Sequence, residues 1–121
     1  MEQIELFPRA TDDDIALARA LLVEYRRCVK RVEVYEKVDL DDLEPSEKRA
    51  YDQCKRKINI LNRAVELIID HEIREIMWFR FIEGNSYSNT MLKFTSIMDD
   101  RTVDRKLNKG IEAVAESLKI M

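Results

Sequence analysis

The sequence predicts an all-α protein, a long antiparallel helical hairpin followed by a three-helix unit of the helix-turn-helix type. Three observations lead there. Glycine and proline occur only twice each in 121 residues while 37% of residues are charged, which suits long surface-charged helices and deprives a β-fold of its turns. Apolar residues recur at alternating steps of three and four through two long stretches, the signature of packed helical seams. The capping residues Thr11, Asp70, Ser86 and Asp100 stand where apolar patterns begin. A chain of this length forms one domain whose modest core needs no disulfide or metal.

Residues 1–10, through Leu6-Phe7-Pro8, read as an N-terminal arm. Thr11, followed by Asp12, Asp13 and Asp14, starts the first helix: the hydroxyl caps free amides and the carboxylates favour the positive end of the dipole. Ile15, Ala18, Leu22, Tyr25, Val29 and Val32 form its seam, which runs to about Val38. The stretch from Asp39 to Pro45 breaks it, and Ser46 restarts a helix in which Tyr51, Cys54, Ile58, Leu61, Val65 and Ile68 repeat the rhythm. Folded at the break, each seam residue meets a partner whose number adds to its own to give 83, from Val32 with Tyr51 to Ile15 with Ile68. An antiparallel hairpin over residues 11–69 requires such a constant. Each arm of about 25 residues spans roughly 37 Å. Leu21, Cys28 and Tyr35, spaced by seven beside the seam, widen the apolar face. Either the C-terminal helices or a second subunit, in a homodimer through the hairpin, should cover it.

Residues 70–121 form the helix-turn-helix region, packed with the hairpin as one compact domain. Asp70 caps a helix that turns Ile73, Ile76, Met77 and Phe81 inward and ends at Gly84, the usual left-handed terminator. Ser86 starts a short helix through Phe94 that carries Met91 and Leu92. A turn from Thr95 to Asp99 follows, and Asp100 caps a last helix with Val103, Leu107, Ile111, Val114 and Leu118 on one face. Three helices, the middle one short and the last basic at its start, outline the motif.

Chemistry is sparse. Cys28 and Cys54 lie inside helical patterns, match no metal-ligand spacing and read as reduced, buried thiols of a cytoplasmic protein. The lone His71 can form no histidine dyad, and no Gly-rich phosphate loop exists. Neither a catalytic residue, a metal nor a cofactor is expected, and the chain does not read as an enzyme. No apolar run approaches the roughly 20 residues that cross a bilayer, and the acidic, proline-broken N-terminus does not read as a signal peptide.

The net charge is −3, distributed unevenly. Residues 1–45 carry 12 acidic and 7 basic groups, residues 46–69 carry 3 and 6, and residues 70–121 carry 9 and 8. Arg101 to Lys109 holds four basic groups against one acid. A nucleic-acid binder presents positive charge locally even when its total is negative. With the last helix stepping about 100° per residue, Arg101, Arg105, Asn108, Lys109 and Glu112 fall opposite the buried stripe and Thr102 at its margin. Arg105 is central, and its planar fork suits the two acceptors of guanine. Lys106 and Lys109 are phosphate partners by type, and Ser86 and Tyr87 can add phosphate contacts at the start of the preceding helix. Glu112 and Glu116 repel DNA, so contact should stop after about three turns. A solvated helix surface accounts for the same pattern. The aromatic run Trp78-Phe79-Arg80-Phe81 reads as core rather than as a base-stacking platform.

The segment from Glu72 to Tyr87, with its aromatic-rich stretch, acidic-Gly end and Ser-Tyr helix start, resembles the opening of the fourth region of bacterial sigma factors. Arg101-Thr102-Val103-Asp104-Arg105-Lys106-Leu107 resembles the start of that region's recognition helix. With a helical hairpin ahead of it, the chain is similar to the ArpU/RinA-like phage and prophage regulators. Its turn from Thr95 to Asp99 is longer than theirs. The resemblance implies a DNA-binding transcription regulator that activates late genes, with double-stranded DNA as partner and RNA polymerase as a further one. Two other readings fit the pattern: a small-terminase-like DNA-packaging protein, and a helical interaction module that contacts polymerase.

Overall fold

Thr11 and Asp14 start the first helix by reciprocal bonds. Thr11 Oγ1 accepts from the Asp14 amide at 3.2 Å, and the Asp14 carboxylate accepts from the Thr11 amide at 2.8 Å. The computed structural model describes residues 9–120, and those residues form α1 (Asp12–Glu36), α2 (Pro45–Glu66), α3 (His71–Met77), α4 (Tyr87–Phe94) and α5 (Asp100–Leu118). A short 3₁₀ turn, Leu40–Asp42, lies in the hairpin bend, and α3 runs on into a π-helical turn, Trp78–Ile82. No strand occurs among the described residues, so the expected all-α class holds. None of their helices is long and apolar enough to cross a membrane. Most of the expected N-terminal arm lies outside the described residues.

Several boundaries differ from the sequence reading, each for a local reason. Helix α2 starts at Pro45 rather than Ser46, because Glu44 is the cap residue and its amide donates to Glu47 Oε1 at 3.1 Å. Proline at the first helical position loses no bond, since that amide would be free anyway. The same helix stops at Glu66, short of the apolar run. Asp70 must be extended (φ −68°, ψ 119°) for its side chain to accept from the Ile73 amide, and Arg74 donates to the Ile68 carbonyl at 2.8 Å. Asp99, not Asp100, caps α5: its carboxylate accepts from the Thr102 amide at 2.7 Å. The turn before it is already wound, with the Ile97 and Met98 amides both donating to the Phe94 carbonyl, so Asp99 is the residue at the boundary. Ser86, Asp70 and Gly84 (φ 82°) serve as expected.

Helices α1 and α2 pack antiparallel. Near the bend, Cys28, Val32, Tyr51 and Cys54 cluster with Tyr35 and Ile58 against them. Tyr51 donates to Glu36 Oε1 at 2.8 Å and Tyr25 to Asn62 Oδ1 at 2.6 Å. Farther along, Leu22 and Leu61 are 1% and 2% exposed, and burial of each contributes about 1.5–3 kcal/mol. The C-terminal helices cover this second half: Ile76, Met77, Phe81, Val103, Ile111 and Val114 share one core with Ala18, Leu22, Val65 and Ile68. The half nearer the bend keeps its own small cluster, made only of α1 and α2 residues. Cys28 and Tyr35 pack into that cluster, the hairpin's own, whereas Leu21 packs against the main core that the C-terminal helices share.

Helix α5 contacts α1, α2, α3 and α4. It lies tight against α3 at Gly110, which is buried; a β-carbon there would overlap Met77 Cγ and Sδ and crowd Ile73. Met77 is 0% exposed, so it can yield only by repacking the core. Gly110→Ala therefore sets about 1 kcal/mol of helix propensity against about 1–3 kcal/mol of overpacking, and a net loss of stability in denaturant titration is expected. An unchanged or raised midpoint would mean that α3 and α5 separate freely.

The caps give a second test. Asp99→Ala should lower the denaturation midpoint, while Asp100→Ala, which gives up a bond from the adjacent Arg101 amide at 2.9 Å, should lower it less. The Asp14, Asp70 and Asp99 carboxyls all lie below the ordinary value, chiefly through amides donated by Thr11, Ile73 and Thr102, and Asp14 is held down at about 2 with help from Lys119. A depressed carboxylate stabilises the fold above its unfolded value and loses that contribution as pH falls through the folded one. The melting temperature should accordingly drop between about pH 4 and pH 2, and less steeply in Asp99→Ala than in the parent chain.

Candidate nucleic-acid interface

The core fixes how α5 is rotated. Val103 and Val114 are fully buried and Leu107 and Ile111 nearly so, which leaves Arg101, Arg105, Lys109 and Glu112 on the solvent side. These three cations form no ion pair among the described residues. Arg105 also acts across the first turn on Asp99, helping to hold its carboxyl down after the Thr102 bonds. The surface expected to read DNA thus retains its two arginines and one lysine.

Both flanks of the helix are occupied by neighbours, which the heptad pattern does not reveal. On one side Tyr87 donates to Asp104 Oδ1 at 3.0 Å. Asn108 accepts from Arg19 of α1 at 3.4 Å and donates to Asp104 Oδ2 at 3.5 Å. Asp104 raises the Tyr87 phenol above its ordinary range by accepting that bond, so the phenol proton is committed to α5. Tyr87, expected at a phosphate, acts here as a strut between α4 and α5. On the other side Lys106 reaches Glu72 of α3 at 3.6 Å with only 17% of its side chain exposed. An ion pair of this partly exposed kind adds about 0–1 kcal/mol but turns the ammonium away from the outer face.

The other expected contacts divide. Thr102 is half-buried, its amide taken by Asp99. Ser86 Oγ accepts from the Asn89 amide at 3.0 Å, as a helix cap does, while its carbonyl accepts from Thr90 Oγ1 at 2.8 Å. Thr90, fully buried, replaces Leu92 on the inner face of α4; Leu92 is 74% exposed. Geometry therefore groups Arg101, Arg105 and Lys109 on one open face and holds Thr102, Lys106, Asn108, Ser86 and Tyr87 in bonds to the rest of the protein.

The aromatic run adopts the π turn. Phe81 is buried, while Trp78 and Phe79 are half-buried beside an open cavity of about 430 Å³. Phe79 meets Phe94 edge to face with ring centroids 5.7 Å apart, which anchors α4, and Lys93 lies 4.3 Å over the Phe79 ring. The turn's end is tied off by Asn85 Nδ2 donating to the Phe79 carbonyl at 2.9 Å and Arg26 to the Ile82 carbonyl at 3.3 Å. Glu66, Glu75 and Glu83 line the cavity together with Arg74 and Lys93, so its border carries three acids against two cations. Among the described residues no cluster of histidine, cysteine or carboxylate could hold a metal ion. Cys28 and Cys54 are unoxidised and buried, and burial followed by its neighbour Cys54 pushes the Cys28 thiol up.

No protein-family model, no curated protein and no solved structure matches this chain.

Proposed function

We propose that the chain binds double-stranded DNA through the outer face of α5 and acts as a transcription regulator. The observation that carries this reading is the pair Arg101 and Arg105. Both stand in the first two turns of a capped helix, opposite its buried stripe, exposed and without ion pairs among the described residues. A helix entering the major groove uses these turns to reach base edges. The short α4 and the wound turn from Thr95 to Met98 brace it from behind, as the first helix of such a motif does. The phage-type, late-gene role rests on the resemblance to sigma region four. A DNA-packaging role would use the same face, and the mass of the assembled particle separates the two: a ring-sized oligomer favours packaging, a monomer or dimer regulation.

A second reading has its own support. Leu92 and Ile97, 74% and 71% exposed, put an apolar patch on α4 and the following turn. A protein partner such as RNA polymerase would bury it.

Fragment selection from the surrounding genome supplies the cognate site, and substitutions then test the face. Arg105→Ala should weaken the cognate duplex by about 1–3 kcal/mol and barely change binding to a scrambled one. Lys106→Ala, whose ammonium faces Glu72, should leave the salt slope unchanged, whereas Lys109→Ala should reduce it by about one. If Arg105→Ala and Arg101→Ala both bind the cognate site at parental strength while folded, α5 does not read DNA and the protein-contact reading takes its place.

A further inference from the structure

The hairpin carries a second concentration of positive charge that the α5 face does not explain. Two basic runs, Arg26 to Arg31 and Lys55 to Lys57, lie 24 or more residues apart in sequence. The bend brings them together. A groove of about 210 Å³ on the flank of the hairpin has Arg27 and Arg31 of α1 on one wall and Lys57 of α2 on the other, with Gln53 beside it. Gln53 joins this groove to a shallower one flanked by Arg49 and Arg56, and Arg27 and Arg31 join it to an open surface that holds Arg26 and Lys30. Seven cations line this continuous surface against two acids, Glu24 and Asp52. The whole chain, by contrast, carries a net charge of −3.

The cations are not spent on the protein itself. Arg26 donates to the Ile82 carbonyl, but Arg27, Lys30, Arg31, Arg49, Arg56 and Lys57 form no ion pair among the described residues. Exposed like charges on a rigid two-helix frame repel, so the arrangement costs the isolated fold stability and a polyanion relieves that cost. The groove floor is Cys28, Cys54 and Ala50, and Val34 at the margin is the exposed apolar side chain. A protein partner needs a buried apolar centre, and among the described residues lining this surface Val34 alone is an exposed apolar side chain. Single-stranded nucleic acid needs exposed aromatic rings on which bases stack, and the one aromatic at the margin, Tyr35, is half-buried in the hairpin. A duplex backbone needs only cations at phosphate spacing.

We propose that this hairpin surface, centred on Arg27, Arg31 and Lys57, holds the phosphate backbone of double-stranded DNA as a contact separate from α5. The choice of duplex as partner rests on the DNA reading of α5. Arg26 makes the connection physical, because its side chain packs over Gly84, two residues before the α4 cap Ser86, and the charged surface therefore begins at the edge of the helix-turn-helix region. The contact is sequence-independent and adds affinity and salt dependence rather than specificity.

The test compares Arg31→Glu with Lys57→Glu, made together, against Lys37→Glu with Lys48→Glu. Both double variants change net charge equally, all four residues are exposed, and circular dichroism verifies the fold. Each is titrated against a scrambled 30-base-pair duplex over a range of salt, beside Arg105→Ala. The groove variant should bind about tenfold or more weakly, with the salt slope reduced by about two, and the control pair should stay near the parent. Equal losses in both pairs mean that only net charge matters and overturn the proposal, as does parental binding by the groove variant. A groove variant that loses only double-stranded RNA, or only polyglutamate, also overturns it, by assigning the surface to another partner. Arg105→Ala without effect on a cognate duplex, beside a weakened groove variant, removes the α5 reading and leaves the hairpin contact standing.

Discussion

The close approach of α5 to α3 at Gly110 is the constraint on which the rest of the architecture depends. Because the glycine has no side chain, Met77 and Ile73 can lie directly on the α5 backbone, and α5 packs against both the hairpin and α3. One helix therefore supplies Val103, Leu107, Ile111 and Val114 to the main core and also bears an open basic face. The two roles limit one another. So much of α5 is buried or flanked that little more than one row of side chains remains for a partner.

That row is aimed by weak, well-placed bonds rather than by strong ones. Tyr87 to Asp104, Arg19 to Asn108 and Lys106 to Glu72 grip α5 from α4, α1 and α3, and Lys119 holds its far end to Asp14 at 3.0 Å. Exposed contacts of this kind add little stability singly. Their effect is geometric: each resists rotation of α5 about its axis, so that the arginines keep one direction relative to α4. Preorganisation of this sort lowers the ordering cost when a rigid surface such as a duplex is met.

The hairpin is divided in its support. The half near the chain ends is packed under the C-terminal helices, whereas the half near the bend has, among the described residues, a small cluster of Cys28, Val32, Tyr51 and Cys54 with Tyr35 and Ile58 against it. Its apolar surface is small, and its flank is where unpaired cations gather. Stability and charge are thus separated along one pair of helices, with burial at one end and, among the described residues, an excess of positive charge at the other.

The sequence by itself determined the helical class, the antiparallel hairpin and most helix starts. Those features rest on interactions between residues three or four apart, such as Thr11 with Asp14, Asp70 with Ile73 and Ser86 with Asn89, and on an apolar period that a single strand of letters displays. The outward placement of Arg101, Arg105 and Lys109 followed from the same period. The choice between the adjacent aspartates at 99 and 100 was also local, set by the turn wound from Phe94 to Met98, but apolar periodicity does not display such a turn. Only the tertiary structure turned Lys106 to Glu72 and Tyr87 to Asp104, pairs 34 and 17 residues apart, and joined two basic runs across the bend. Periodicity states which face of a helix is polar; it carries no record of the neighbour that stands beside that face, and a charge is spent or left free according to that neighbour.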